Sequence, residues 1–158
     1  CMTARSSIIA KSSTQAQLRI RPGRASDYPR LRQLFLDARL ASWTWLNGDQ
    51  WRLEDFDAVV QDAQLWVAEC GDVLAGFASV WVIDNFLHNL FVDPQWQGKG
   101  VGSLLLEQVQ RSFKRSGTLK CLSRNENALR FYQHHGWKLE AQGASPDGDY
   151  WLMRYTQP

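Results

Sequence analysis

Apolar and polar positions recur along the chain in short segments, and residues 86–103 combine three kinds of segment. An apolar run at 90–92 is typical of a buried strand, and Asp93 and Pro94 end it. Apolar residues then follow with helical spacing over 101–111. Three glycines, Gly98, Gly100 and Gly102, lie where the predicted strand is followed by the predicted helix.

The same patterns predict elements on both sides of this stretch. Before it we expect a strand at 18–21, a helix from Ser26 or Asp27 to about Leu40, a short helix at 54–63, and hairpin strands at 65–70 and 73–82. After it we expect a strand at 119–123, a helix at 125–135, and terminal strands at 137–140 and 150–155.

This order of elements predicts the fold class. It reads β-α-α-β-β-β-α-β-α-β-β, which corresponds to an α/β (α+β) fold with a single mixed, mostly antiparallel sheet of about seven strands flanked by helices. Residues 1–16 are rich in Ser, Thr and Gln and predict a flexible N-terminal arm. No repeat or linker divides the rest, so residues 17–158 are predicted to form one domain.

Two interpretations of the glycine-rich loop are open, a phosphate site or a plain turn. Glycine lets the backbone approach a ligand, and the free N–H groups of the following helix point into the same space. Two well-known phosphate loops fit poorly. A Walker loop needs Ser or Thr directly after Gly-Lys, but Gly100 follows Lys99. A dinucleotide loop needs an acidic residue about twenty positions further on, where Lys120 and Cys121 stand.

Composition and charge argue against several classes of protein. The 158 residues are 44% hydrophobic and 22% charged, with a formal net charge of +2, as expected for a globular domain. No apolar run is long enough to cross a membrane, and residues 1–16 lack the apolar stretch of a secretory signal. We therefore expect a cytoplasmic protein without a membrane partner. The basic residues form no dense stripe with exposed aromatics, so no nucleic-acid partner is expected.

The charges are distributed unevenly along the chain. Residues 49–72 contain seven acidic residues (Asp49, Glu54, Asp55, Asp57, Asp62, Glu69 and Asp72) against Arg52. Residues 95–138 contain eight basic residues (Lys99, Arg111, Lys114, Arg115, Lys120, Arg124, Arg130 and Lys138) against Glu107 and Glu126. Both segments are explained by solvated helix faces, or by a cationic ligand near the first and a polyanionic ligand near the second.

Three tryptophans, Trp43, Trp45 and Trp51, follow the first predicted helix. Large aromatic side chains usually belong to the core or cover it. Between two helices and framed by polar residues, they also suit the wall of a small-molecule pocket. Both alternatives remain open from the sequence.

The element order and two motifs resemble the GNAT superfamily of acetyl-CoA-dependent N-acetyltransferases. Residues 92–94 followed by 97–102 match the family's loop, Gln/Arg-x-x-Gly-x-Gly/Ala, which wraps the pyrophosphate of acetyl-CoA. Residues 125–132 followed by Gly136 and Trp137 match the family's stretch Asn-x-x-Ala-x-x-Phe-Tyr-x-x-x-Gly-Phe. The resemblance covers nearly everything from Leu18 to Tyr155 and implies the GNAT acyl-CoA N-acyltransferase fold.

The resemblance also implies how acetyl-CoA would be bound as a cosubstrate. Main-chain N–H groups of the loop would bind the pyrophosphate, the end of the central strand would pair with the pantetheine arm, and an asparagine would hold that arm. Strands on either side of the loop would splay apart at a bulge to admit it. The implied cofactor-binding residues are Leu90, Phe91, Val92, Gln97, Gly98, Lys99, Gly100, Val101, Gly102, Ser103 and Asn125.

Acetyl transfer to an amine needs a proton acceptor and a proton donor. The resemblance places Tyr132 near the cofactor sulfur, where its phenol would protonate the leaving thiolate as general acid. A strand-edge N–H near Leu90 would stabilise the charge on the carbonyl oxygen. The glutamate that serves some relatives as base has no counterpart here, so Asp84, His88 or a water molecule remain as the base.

The sequence therefore predicts an N-acetyltransferase that moves an acetyl group to a primary amine by direct attack in a ternary complex. The acidic segment and the tryptophans favour a small cationic or aromatic amine, with Trp43, Trp45 and Trp51 as substrate-binding residues. The alternatives are a protein N-terminus or lysine as acceptor, or a non-catalytic acyl-CoA-binding module. No metal is expected, and the family often forms homodimers.

Overall fold

The computed structural model describes residues 17–158; the predicted arm, residues 1–16, lies outside the described residues. Seven strands form one sheet: β1 (Leu18–Pro22), β2 (Gln64–Cys70), β3 (Val73–Trp81), β4 (Phe86–Val92), β5 (Ser116–Leu122), β6 (Lys138–Ser145) and β7 (Gly148–Thr156). Four α-helices accompany them: α1 (Tyr28–Ser42), α2 (Phe56–Val60), α3 (Val101–Ser112) and α4 (Glu126–His134). Short 3-10 turns precede α1 and α2 and follow β4.

The strands lie in the order β1-β2-β3-β4-β5-β7-β6. Every neighbouring pair is antiparallel except β4 and β5, which run parallel. The predicted fold class, a mixed and mostly antiparallel sheet of about seven strands flanked by helices, is thereby confirmed. The parallel pair at the centre follows from the crossover through α3, since parallel neighbours need a long connection.

Helices cover both faces of the sheet. On one face α1 and α2 bury an apolar cluster that includes Leu31, Leu34, Phe35 and Phe56 against β2 and β3. On the other face α3 buries Leu105 and its neighbours, and α4 packs partly buried aromatic residues against the same cluster. The amphipathic spacing read from the sequence therefore predicts which face of each helix is buried.

Several boundaries differ from those predicted. Strand β5 begins at Ser116, three residues before the predicted start. Trp137 precedes β6 rather than beginning it, and its buried indole donates from Nε1 to Gln110 Oε1 at 2.9 Å. The bounds of β6 are hard to predict from the sequence, because this strand is almost wholly exposed and its residues do not alternate between apolar and polar.

None of the helices formed by residues 17–158 is both long enough and apolar enough to cross a membrane.

Candidate functional site

A cavity of about 700 Å³ opens where β4, the glycine loop, α4 and the end of α1 meet. Its lining residues come from all four parts: Ala41, Ser42, Trp43, Thr44, Leu90, Phe91, Val92, Pro94, Trp96, Gln97, Gly98, Gly100, Val101, Gly102, Ser103, Asn125, Asn127, Ala128, Phe131 and Tyr132. Segments far apart in the sequence thus converge on one space. Its volume lies within the range of small-molecule sites, about 300 to 1,000 Å³.

The cavity extends along a gap in the sheet. Strands β4 and β5 pair only at Phe86 with Thr118 and at Leu87 with Leu119. Beyond these pairs the strands separate, and residues 88–92 have no partner on β5. A register shift at Ser79/Val80 makes His88 the extra residue of β4, since Ser79 pairs with Asn89 and Val80 with Leu87. Such a bulge bends a strand and raises its twist, which accounts for the separation.

The glycine loop shapes one wall of the cavity. Gly98 and Gly100 have φ angles of +77° and +84°, values that only glycine adopts without strain. A side chain at either position would meet no protein atom within 4 Å, so the backbone there faces open space. Helix α3 begins directly after Gly100, and Leu104 N–H makes its first bond to Gly100 carbonyl at 3.1 Å. The N–H groups of residues 101–103 therefore have no carbonyl partner within the helix.

Contacts around the loop hold it in place. Asp93 accepts a hydrogen bond from Gln95 N–H at 2.9 Å, its own N–H donates to Ala75 carbonyl at 2.8 Å, and its carboxylate pairs with Arg30 of α1. Gln97 Nε2 donates to Val92 carbonyl at 3.3 Å. The turn after β4 is thus fixed by its own side chains, so the direction of α3 is set before any ligand arrives.

Asn125 caps the helix on the opposite wall. Its Oδ1 accepts from Ala128 N–H at 3.3 Å, at the start of α4. The capping bond orients the side chain into a fixed rotamer and leaves the amide Nδ2 as a donor. Asn125 lines the cavity, so that donor lies at its surface.

Tyr132 lies about two turns further along α4 and also lines the cavity. Its ring packs edge-to-face against Phe131 and Trp137, with centroids 5.3 and 5.9 Å apart. Burial, with a smaller contribution from Cys121, raises the pKa of the phenol far above its usual range. The hydroxyl is therefore protonated throughout the neutral range and can act as a proton donor.

The two residues predicted as bases lie elsewhere. Asp84 is exposed in the turn between β3 and β4 and lines a different cavity, with Trp81 and Asp62 among its neighbours. The His88 ring stacks against Trp81 at a centroid distance of 4.3 Å, and burial lowers its pKa. Neither is among the described residues that line the cavity of Tyr132.

Of the three predicted substrate-binding tryptophans, Trp43 lines the cavity. Its ring contacts Phe91 and Trp51 edge-to-face, with centroids 5.5 and 5.9 Å apart. Trp51 lies behind it, beneath the guanidinium of Arg39 at 5.1 Å. Among the described residues, the cavity lining includes neither Trp51 nor Trp45; Trp51 supports the wall through its contact with Trp43.

None of the charged side chains of the two segments is among the described residues that line the cavity. In the acidic segment Asp55 pairs with Arg39, Asp57 with Arg32, and Glu69 with Arg19 and Arg21. Three of its seven carboxylates are therefore neutralised locally. Lys99 is exposed and, alone among the loop residues predicted to bind a cofactor, does not line the cavity.

Several lining residues were not predicted from the sequence. Ala41, Ser42 and Thr44 come from the end of α1 and the turn after it, and Trp96 and Phe131 flank the loop. Phe131 immediately precedes Tyr132 in the second motif, so that motif is a sequence signal that could have identified Phe131. The end of α1 carries no such signal, because its position depends on the packing of Trp43 against Phe91.

The geometry fits an extended ligand that carries a diphosphate. Unpartnered N–H groups and the helix dipole at the start of α3 suit the anionic end. The unpaired edge of β4 suits an amide-containing chain, because such a chain can bond to it as an added strand would. Among the described residues, no three His, Cys, Asp or Glu side chains are grouped as a metal site would need.

Comparison with known proteins agrees with a site for a ligand of this kind. Residues 61–139, half of the chain, match the family model described as an acetyltransferase (GNAT) domain. A curated relative, the peptidyl-lysine N-acetyltransferase YiaC of Escherichia coli strain K12, is 30% identical over 125 residues, covering 76% of this chain and 83% of that protein.

Solved structures agree in fold. A GCN5-related N-acetyltransferase from Rhodopseudomonas palustris superposes with a TM-score of 0.74 at 17% identity, over 88% of this chain and 95% of that chain. The PaiA N-acetyltransferase of Thermoplasma acidophilum, solved in complex with coenzyme A, has a TM-score of 0.74 at 18% identity, over 89% and 99%. With the glycine loop, the gap in the sheet and these matches together, the chain belongs to the GNAT family and is an acetyl-CoA-dependent N-acetyltransferase.

Proposed function

We propose that this enzyme acetylates the side-chain amine of lysine in a peptide or protein, by direct attack on acetyl-CoA in a ternary complex. The observation that carries the proposal is one cavity that joins the glycine loop, the free edge of β4 and the Tyr132 phenol. These supply an anion site, a strand-like edge and a proton donor within a single space of about 700 Å³.

The two walls of the cavity would share the binding of acetyl-CoA. Main-chain N–H groups at the start of α3, after Gly98 and Gly100, would hold the diphosphate. Residues 90–92 would bond to the pantetheine arm along the free edge of β4, and the Asn125 amide would hold the arm from the other side. Lys99 is exposed, so its contribution would be limited to its main-chain N–H.

Bound acetyl-CoA supplies an acetyl group already activated as a thioester. Tyr132 would act as general acid, because burial keeps its phenol protonated and its ring lies against the cavity. A main-chain N–H at or near Leu90 would stabilise developing negative charge on the acetyl oxygen. Removal of one such donor typically costs about 3 to 4 kcal/mol of transition-state stabilisation.

Proton removal from the acceptor amine would use water. A lysine amine has a pKa of about 10.4, so it must lose a proton before it can attack. The described part of the cavity lining offers neither a carboxylate nor an imidazole for this step. Asp84 and His88 lie outside that lining, which makes a chain of water molecules to solvent the better proposal.

Two observations favour a peptide lysine as acceptor. The relative YiaC is a peptidyl-lysine N-acetyltransferase and is covered over 83% of its length. The end of α1 and the following turn contribute methyl, hydroxyl and indole groups to the cavity, which suit the methylene stem of a lysine. The acidic residues that suggested a small cationic amine do not line the cavity and are partly paired with arginines.

A small aromatic amine is the second candidate, and one contact favours it. The Trp43 ring lines the cavity and is held by Phe91 and Trp51, so a flat apolar amine could pack against it. Both candidates use the same cofactor site and differ only in the acceptor.

Competition between acceptors tests the proposal. Thiol release from acetyl-CoA would be measured with a lysine-containing peptide, its Lys→Arg counterpart, free lysine, spermidine and an aromatic amine. We expect kcat/KM for the peptide to exceed that for every small amine by about tenfold or more, and mass spectrometry to locate the acetyl group on the lysine. A higher kcat/KM for the aromatic amine would favour the second candidate, and acetylation of the peptide's α-amine alone would exclude both.

A further inference from the structure

A hydrogen bond joins the two walls of the cavity. Ser103 Oγ, in the first turn of α3, lies 3.1 Å from Nε2 of His135, which ends α4. Ser103 also lines the cavity beside Gly100 and Gly102. The bond therefore connects an imidazole outside the cavity lining to a hydroxyl inside it.

We propose that His135 is a positioning residue that directs the Ser103 hydroxyl toward the diphosphate of acetyl-CoA. This inference rests on the proposed binding of that diphosphate at the start of α3. The Ser103 hydroxyl would then be a side-chain donor beside the main-chain N–H groups, and His135 on the other wall would set its direction.

The donors and acceptors of the two side chains determine what the pair presents to an anion. A serine hydroxyl has one proton to donate and two lone pairs. If His135 Nε2 is unprotonated, Ser103 donates its proton to the ring and presents only lone pairs to an anion. If Nε2 carries the proton, it donates to Ser103 Oγ, and the serine proton is free to bond to a phosphate oxygen. An anionic ligand therefore selects the second arrangement, because charge-assisted hydrogen bonds are the stronger ones.

Packing holds the histidine in this place. The His135 ring lies edge-to-face against Phe131 at a centroid distance of 4.8 Å, and the main-chain N–H of His135 donates to the Tyr132 carbonyl at 3.0 Å. Phe131 in turn closes against α3, since a side chain on Gly102 would meet its ring at 3.4 Å. The separation between His135 and Ser103 is thus set by packed side chains and not by a flexible surface contact.

Charge at His135 adds a dependence on pH. Burial and the neighbouring His134 lower its pKa, and Glu107 on α3 opposes them. The ring is therefore mainly neutral at pH values above its ordinary pKa of about 6.5. A bound diphosphate would stabilise the imidazolium and raise that pKa, so binding would take up a proton. By linkage, affinity for acetyl-CoA then rises as pH falls.

Two variants of His135 separate positioning from mere structural support. His135→Gln keeps a donor near the position of Nε2 but cannot titrate, whereas His135→Leu removes both the donor and the charge. His134→Gln is the matched control at about pH 8, because His134 is the adjacent exposed imidazole and has no bond to Ser103 among the described contacts. At about pH 6 this variant also removes a charge that lowers the pKa of His135, so its affinity for acetyl-CoA should not fall below that of the wild type. Melting temperatures would establish that each variant is folded.

Affinity for acetyl-CoA would be measured by titration calorimetry at about pH 6 and about pH 8, in two buffers of different ionisation enthalpy. We expect His135→Leu to bind about three- to tenfold more weakly at both pH values, as loss of one hydrogen bond implies. His135→Gln should bind as the wild type does at about pH 8, without its extra affinity and proton uptake at about pH 6. Protons taken up by acetyl-CoA itself are the same for both proteins, so they cancel when His135→Gln is compared with the wild type.

Ser103→Ala completes the test. If His135 acts through Ser103, replacing His135 by Leu should change the affinity by less than about twofold once Ser103 is Ala. Equal affinity of the wild type and His135→Leu, or an unchanged pH dependence in His135→Gln, would overturn the inference. If His135→Leu does not fold, His135→Gln alone decides.

Gly100→Glu distinguishes this inference from the proposed function. If that variant loses acetyl-CoA binding while His135 variants behave as the wild type, the diphosphate site stands and only the role of His135 is excluded. If Gly100→Glu binds normally, the proposed site itself is wrong and the inference fails with it.

Discussion

The two walls of the cavity offer a ligand different kinds of group. The wall formed by the glycine loop and α3 offers main-chain N–H groups, whose positions are fixed by two left-handed glycines. The wall formed by α4 offers side chains, among them the Asn125 amide and the Tyr132 phenol. A main-chain donor survives every substitution except proline, so the first wall is altered only by changing its conformation. The second wall can be altered one atom at a time.

The walls therefore predict different kinds of loss. Damage to the loop should abolish binding, since several N–H groups and the helix dipole act on one anion together. Damage to α4 should separate binding from chemistry, because each side chain is expected to have one task. Variants with matched controls can test this division.

Gly100→Glu should give the largest effect. At φ +84° a residue with a side chain is strained by about 1 to 2 kcal/mol, and the new carboxylate would face the anion site. We expect acetyl-CoA affinity to fall at least about 100-fold by calorimetry, since one misplaced charge costs several kcal/mol when partly buried.

Gly71→Glu is the matched control for that variant. Gly71 has φ +60° in the turn between β2 and β3, and a side chain there would also meet nothing within 4 Å. The loss of stability should be similar, but acetyl-CoA should bind within about twofold of the wild type. Equal loss of affinity in both variants would mean that strain, not position, causes the effect.

Tyr132→Phe should reduce turnover with little change in binding. Loss of a general acid typically lowers kcat by about 100-fold or more, whereas the ring and its contacts remain. Because burial raises the phenol pKa, the wild-type rate should not decline up to about pH 9 from loss of this proton. Tyr155→Phe is the control, as that ring stacks on Trp137 and is not among the described lining residues. An unchanged kcat in Tyr132→Phe would exclude the acid role.

Asn125 should respond differently to two substitutions. Asn125→Asp keeps an oxygen to cap α4 but loses the amide donor, so stability should hold while acetyl-CoA affinity falls about three- to tenfold. Asn125→Ala removes the cap as well and should cost about 1 kcal/mol of unfolding free energy. Chemical denaturation would measure the change in unfolding free energy, and calorimetry would measure the change in acetyl-CoA affinity. If Asn125→Asp is stable and binds acetyl-CoA normally, Asn125 caps α4 but does not bind the cofactor.

Asp84→Asn and His88→Gln should have the smallest effects. Asp84 lies in an exposed turn and His88 stacks on Trp81, so neither substitution should change kcat/KM more than about threefold if water carries the proton. Rates would be compared at about pH 6 and about pH 9, because loss of a true base changes the slope between them. A 100-fold fall in either variant would assign the base to that residue.

The main-chain wall was the easier one to predict from the sequence. Glycines at fixed intervals between an apolar run and a helical repeat indicate this wall. In the structure Gly98 and Gly100 have φ angles of +77° and +84°. The wall formed by α4 was recognised through the motif that contains Asn125 and Tyr132, since an amphipathic helix alone does not show which polar residue faces a cavity.

Other features depended on contacts that the sequence does not display. The bulge that makes His88 the extra residue of β4 changes which side chains share a face, and strand alternation alone does not show such a change. The bond between Ser103 and His135 joins residues 32 positions apart. Trp43 reaches the cavity while Trp51 does not, because packing against Phe91 orders the loop after α1.

The short pairing between β4 and β5 also affects how the protein avoids aggregation. A strand with free N–H and C=O groups is a template for association when it forms the outer border of a sheet. Here the outer borders are β1 and β6, whereas the free groups of β4 lie in the middle of the sheet, where Phe86 and Leu87 join β4 to β5. Helices α3 and α4 flank that opening. An interior position of this kind admits a single extended chain and excludes the edge of another sheet, so exposed backbone serves binding without promoting fibril growth.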